Sequence, residues 1–98
     1  MSNNQDPERC PIVVIGASAG GIETLELLAG GLPQDFPAAL FVVVHLSPDS
    51  PGALPGIIAR AGKLPTMTAQ DGAAIRPGHI FVAPPDHHLL LEPGRIRL

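Results

Sequence analysis

Ile12-Val13-Val14-Ile15-Gly16-Ala17-Ser18-Ala19-Gly20-Gly21 is the stretch that decides the fold. Four consecutive β-branched residues read as a buried strand over 11–15, and Gly16, Gly20 and Gly21 permit the tight backbone that follows it. From Ile22 the apolar spacing becomes helical, with Ile22, Leu25, Leu28 and Ala29 on one face and Glu23 and Glu26 towards solvent. The helix is expected over about 20–29 and is stopped by Gly30-Gly31. Ser18 therefore stands at a strand-to-helix turn inside a G-x-S-x-G pattern, where small neighbours leave a hydroxyl room to project from the sheet.

Working outward, residues 39–44 form a second wholly apolar run that ends at His45. Ser47-Pro48-Asp49-Ser50-Pro51 supplies cap and first-turn proline signals for a helix over about 52–61. A short extended piece at 66–69, turns at Asp71-Gly72 and Pro77-Gly78, and a strand over 79–83 follow. The chain ends as a β-hairpin, 89–91 and 95–98, joined through Glu92-Pro93-Gly94. Residues 1–10 read as a disordered tail and 11–98 as one domain. Strand, helix, strand, helix with continuous apolar strands predicts an α/β fold, a doubly wound parallel sheet with helices on both faces.

Such sheets bind their ligands outside the carboxyl ends of the strands. Ser18 and His45 both fall at that edge, and neighbouring parallel strands would bring them within reach of one another. A serine hydroxyl becomes a nucleophile when a base takes its proton, and histidine does this near neutrality. Backbone N–H groups of Ala19 and Gly20 at the helix start are the candidate donors to an oxyanion. The pair assigns acyl transfer, most simply ester or amide hydrolysis. The plainer reading, Ser18 as a helix N-cap and His45 as a hydrogen-bonded strand-end residue, fits the same pattern. A nucleotide-binding reading of Gly16-x-Ser18-x-x-Gly21 lacks the middle glycine and has His45 where an acid is expected. Asp86-His87-His88 with His79 upstream suggests a metal, but adjacent residues of an extended segment point to opposite faces, so no metal site and no cofactor is expected.

Composition narrows the partners. The 98 residues carry a net charge of −3 with six scattered basic residues, no Trp or Tyr and three Phe, which argues against nucleic acid. No apolar run approaches the roughly 18 residues of a membrane span, so a cytoplasmic protein without membrane insertion is expected. Cys10 is the only cysteine, which excludes an internal disulfide.

Ile15-Gly16-Ala17-Ser18-Ala19-Gly20-Gly21, Val44-His45-Leu46, Gln70-Asp71-Gly72, Pro77-Gly78-His79-Ile80-Phe81-Val82-Ala83-Pro84 and Asp86-x-His88 together resemble the catalytic domain of chemotaxis protein-glutamate methylesterases, the CheB type. The resemblance covers about 11–98 and corresponds to the first half of that domain. It implies a serine hydrolase acting in signal transduction, which removes methyl esters from glutamates of chemoreceptor cytoplasmic domains and in some members deamidates receptor glutamines. Ser18 then corresponds to the nucleophile and His45 to the general base.

The resemblance also has limits. The family's triad Asp lies in a glycine-rich segment downstream of the hairpin, whereas this sequence stops at Leu98. Asp49 and Asp86 fall near the sheet edge and Asp71 lies in a turn, but none matches that acid. In serine proteases, replacing the triad aspartate by its amide costs about 10⁴ in turnover, so impaired hydrolysis is expected at this length. Several relatives carry Thr where Ala19 stands, and regulated members carry a receiver domain where ten residues precede the first strand here. An open sheet edge with two helices to cover it points to a truncated copy, a fragment, or a piece that associates with another subunit or the missing half. A non-catalytic receptor-binding or regulatory module is the alternative to an enzyme.

Overall fold

The computed structural model describes residues 10–45, 53–84 and 88–98, with only the backbone at Ala19 and His45. Strand β1 (Ile12–Ser18) pairs in parallel with β2 (Ala39–His45) along its whole length, from Ile12 opposite Ala39 to Ser18 opposite His45. Strands β3 (Thr66–Thr68) and β4 (Ile80–Val82) complete a four-stranded parallel sheet in the order β1-β2-β4-β3. Gly16, Ala17 and Ser18 belong to β1, although the sequence places them beyond it: pairing with the apolar run of β2 overrides their weak strand propensity.

Helices α1 (Ile22–Gly31) and α2 (Leu54–Ala61) lie on the same face of the sheet. Leu25, Ala29, Leu54 and Ile58 pack there on Leu40, Val42, Ile80 and Val82. This departs from the expected helices on both faces, and the topology supplies the reason. The crossovers from β1 to β2 and from β2 to β3 advance in one direction, so right-handed connections leave both helices on one side. Returning from β3 to β4 reverses direction and sends the chain across the opposite face, as a doubly wound sheet requires. There the connection is extended, not helical.

That connection is held by the terminal hairpin, β5 (Leu90–Glu92) and β6 (Arg95–Arg97). The N–H groups of Gly72 and Ile75 donate to the Ile96 and Gly94 carbonyls, and the Ile96 N–H donates to the Ala73 carbonyl. Gly94, at φ 75°, takes the left-handed conformation that the two-residue turn between Glu92 and Arg95 demands. The second apolar layer so formed contains Cys10, Ala39, Phe41, Ala69, Ile75, Phe81 and Ile96. Phe41 and Phe81 stack with ring centroids 5.0 Å apart, worth about 1 kcal/mol beyond the area they bury. Cys10, expected at the end of the tail, is buried in this layer, and residues 1–9 lie outside the described residues.

The helix layer is tight at one point. A Cβ on Gly62, which follows α2, would sit 2.4 Å from the Ala29 carbonyl oxygen of α1. Glycine there lets the two helices meet backbone to backbone. Strand β1 is the opposite case. The sequence predicts it buried, yet Ile12 is 43 % and Val14 60 % exposed, because β1 is the edge strand and the hairpin covers β2 and β4 instead.

Candidate functional site

The carboxyl edge of the sheet begins with the pairing of Ser18 and His45, the last residues of β1 and β2. Neighbouring strands lie about 4.8 Å apart, and residues in parallel register share a face, so positions 18 and 45 stand side by side on one face. The sequence expectation that these two residues meet at one edge is met at the level of the backbone.

Ser18 is exposed, with φ −83° and ψ 167°. This is relaxed extended backbone, not the strained elbow that a G-x-S-x-G pattern often marks. A 3₁₀ turn, Ala19–Gly21, follows directly and leads into α1. Ser18 occupies its N-cap position, yet the side chain makes no capping hydrogen bond. The plain N-cap role would use such a bond, so the hydroxyl is not spent on the turn. The N–H groups of Ala19 and Gly20 open a helical turn, where amides have no partner within the turn itself. Gly21 lets that turn fold back closely, since a Cβ there would lie 3.2 Å from the Ala17 side chain. At Gly20 a Cβ would meet the Ser18 hydroxyl oxygen at 3.9 Å, ordinary contact, so Gly20 leaves the space beside the hydroxyl open.

The other candidates part company with this edge. Asp49, Asp86 and His87 lie outside the described residues. Asp71 is occupied elsewhere: its Oδ1 accepts the Leu98 N–H at 3.0 Å and its Oδ2 lies 3.9 Å from Arg97. Arg97 is also hydrogen-bonded to Glu92, and that bond with the Glu92 charge, assisted by Asp71, raises its pKa above the ordinary value. Asp71 thus ties the end of β6 to the turn at Asp71-Gly72. The sequence showed the turn but not its tether, which joins residues 27 apart.

His79 precedes β4 and so lies at the amino edge, opposite Ser18. Its ring Nδ1–H donates to the Pro77 carbonyl at 2.9 Å and its ring lies against Phe81. A recess of about 430 Å³ opens at that edge, lined by Asp35, Phe36, Lys63, Pro77 and His79 among others. This recess is therefore remote from the serine. Among the same residues, no three His, Cys, Asp or Glu side chains gather as a metal site, and no helix is long and apolar enough to cross a membrane.

The fold and this edge define a class: a parallel α/β domain that carries a serine and a histidine in register at the carboxyl ends of adjacent strands. The description of the CheB methylesterase family matches residues 13–98, and the chain belongs to that family. It is 40% identical over 90 residues to the protein-glutamate methylesterase/protein-glutamine glutaminase 2 of Anaeromyxobacter dehalogenans, covering 92% of this chain and 26% of that protein. The Thermotoga maritima protein-glutamate methylesterase/protein-glutamine glutaminase is 38% identical over 81 residues, covering 83% of this chain and 24% of the relative. The crystal structure of the Thermotoga maritima CheB methylesterase catalytic domain superposes with a TM-score of 0.79 at 34% identity, over 90% of this chain and 48% of that one. The chain thus spans about a quarter of those full-length relatives and about half of the solved catalytic domain.

Proposed function

We propose that this chain carries the nucleophile and the general base of a protein-glutamate methylesterase. The observation that carries the reading is the register of Ser18 with His45 at the carboxyl edge, in a chain of the CheB methylesterase family. The substrate is a glutamate methyl ester on the cytoplasmic domain of a chemoreceptor. Ser18 Oγ attacks the ester carbonyl as His45 takes the hydroxyl proton, and the Ala19 and Gly20 N–H groups donate to the oxyanion that forms. The tetrahedral centre collapses with loss of the methoxy group, which leaves as methanol with the proton held by His45. Water then adds to the acyl-serine by the same route in reverse, releasing the glutamate carboxylate and restoring Ser18. On a receptor glutamine the leaving group is ammonia and the remaining steps are the same. No cofactor or metal enters this sequence, and the reaction takes place in the cytoplasm.

One observation favours a second reading, a receptor-binding module without turnover: Asp71 is already engaged with Leu98 and Arg97. Methanol release from methylated receptor fragments separates the two. The hydrolytic reading predicts release that Ser18→Ala reduces at least about a hundredfold. Equal release by both proteins removes the serine from the mechanism. Receptor binding that Ser18→Ala leaves intact, with no methanol from either protein, establishes the binding module.

A further inference from the structure

The recess at the amino edge of the sheet is framed by three stretches of chain that backbone hydrogen bonds hold together. The Gly78 N–H donates to the Ala38 carbonyl at 2.9 Å, the Leu40 N–H to the His79 carbonyl at 3.0 Å and the Ile80 N–H to the Pro65 carbonyl at 2.9 Å. Gly78 takes the left-handed region at φ 72°, and a Cβ there would lie 3.3 Å from the Phe36 carbonyl oxygen, so the chain is closely packed at this point. Pro37, Pro65 and Pro77 stand in the lining, where each ring fixes its own φ. A lining so restrained loses little freedom when a ligand enters. At about 430 Å³ the recess falls in the size range of small-molecule sites.

The charges of the lining select the ligand. Lys63 and Asp35 carry opposite signs into the same recess, yet among the described residues neither takes part in an ion pair. His79 is pinned by its Nδ1–H bond to the Pro77 carbonyl at 2.9 Å and by its stack on Phe81, which leaves Nε2 of the neutral ring as an acceptor. Phe36, half-buried, and the proline rings supply apolar surface. A simple anion would meet Asp35, a simple cation would meet Lys63, and an uncharged molecule would use neither. A small zwitterion with an apolar body satisfies the whole set. We infer that this recess is a binding site for a free α-amino acid with an apolar side chain. Its carboxylate lies at Lys63, its ammonium at Asp35 and His79 Nε2, and its side chain against Phe36 and the prolines. Lys63 and Asp35 are exposed, so each ion pair raises affinity only about two- to fivefold, and a dissociation constant of about 1 mM is expected. The seven residues of β2, about 20 Å of strand, separate this edge from the Ser18 edge, and the inference makes no use of the chemistry proposed there.

The test titrates L-phenylalanine into the full 98-residue chain and follows backbone amide resonances by NMR. Saturable shifts are expected at Phe36, Gly78 and His79, with a dissociation constant of about 1 mM. N-acetyl-L-phenylalanine, which lacks the ammonium, and L-phenylalaninamide, which lacks the carboxylate, are each expected to bind about two- to fivefold more weakly, as is L-phenylalanine to Lys63→Ala or Asp35→Asn. Both substitutions fall at exposed positions, and an amide spectrum unchanged away from the recess shows that the fold is kept. Ser18→Ala leaves the titration as it is in the wild type. No shift at these three amides up to about ten times the expected constant overturns the inference, as do shifts that map to another part of the sheet. Equal or tighter binding of the N-acetyl compound also overturns it, since the recess is then a plain anion site, and equal or tighter binding of the amide overturns it in favour of a cation site.

Discussion

Ser18 is set apart from an ordinary capping serine by what it does not bond. It sits at the N-cap position of a 3₁₀ turn, on relaxed extended backbone, without a capping hydrogen bond. It is exposed beside a glycine that leaves its hydroxyl oxygen unobstructed. Asp71 is its counterpart among the carboxylates, bound into the surface by Leu98 and Arg97 at the end of the hairpin. Asp71→Asn is therefore expected to leave methanol release at the wild-type rate while speeding amide exchange at Leu98. A large loss of hydrolysis in that variant would make Asp71 the partner of His45. The residue types of the site were legible in the sequence because G-x-S-x-G and an apolar run ending in histidine are local patterns. The role of Asp71 was not, because its partners are distant in the chain.

At the scale of elements, strand and helix identities follow from periodicity, whereas their ends are fixed by packing. α1 continues through Gly30 and Gly31, where the sequence predicts a stop, and a Cβ on Gly30 would lie 3.0 Å from the Ala61 carbonyl of α2. The helices meet at glycines, and two substitutions distinguish contact from propensity. Gly62→Ala drives a Cβ into the Ala29 carbonyl and is expected to destabilise the fold by about 1–3 kcal/mol. Gly56→Ala, inside α2 with nothing within 4 Å among the described residues, is expected to stabilise it by about 0.5–1 kcal/mol. Denaturant midpoints of the two variants on opposite sides of the wild type bear out the close approach. A neutral Gly62→Ala would show that the helices can separate without cost.

For the whole molecule, a parallel α/β sheet was readable from the sequence, but the position of β4 between β2 and β3 was not, since no local pattern encodes strand order. The hairpin's function was equally hidden. The sequence shows only a terminal β-hairpin, yet Ile96, fully buried, lies in one apolar layer with Ile75 of the connection and Phe41 and Phe81 of the sheet. Ile75→Ala is expected to cost about 2–5 kcal/mol and to melt sheet and hairpin in a single transition, seen by circular dichroism and by amide exchange together. Separate transitions would make the hairpin an independent appendage. Relative to this closed side, the β1 side is apolar and open, which explains why β1 is exposed where its composition predicts burial.

The central claim is that Ser18 and His45 act as one chemical unit across adjacent strand ends. Covalent labelling of the 98-residue chain with a fluorophosphonate reports this directly, because the reagent needs an activated serine and not a complete receptor substrate. The account predicts one adduct, located at Ser18 by peptide mass spectrometry, absent in Ser18→Ala and formed at least about a hundredfold more slowly in His45→Gln. An adduct at another serine, or labelling of Ser18 at an unchanged rate in His45→Gln, would contradict it.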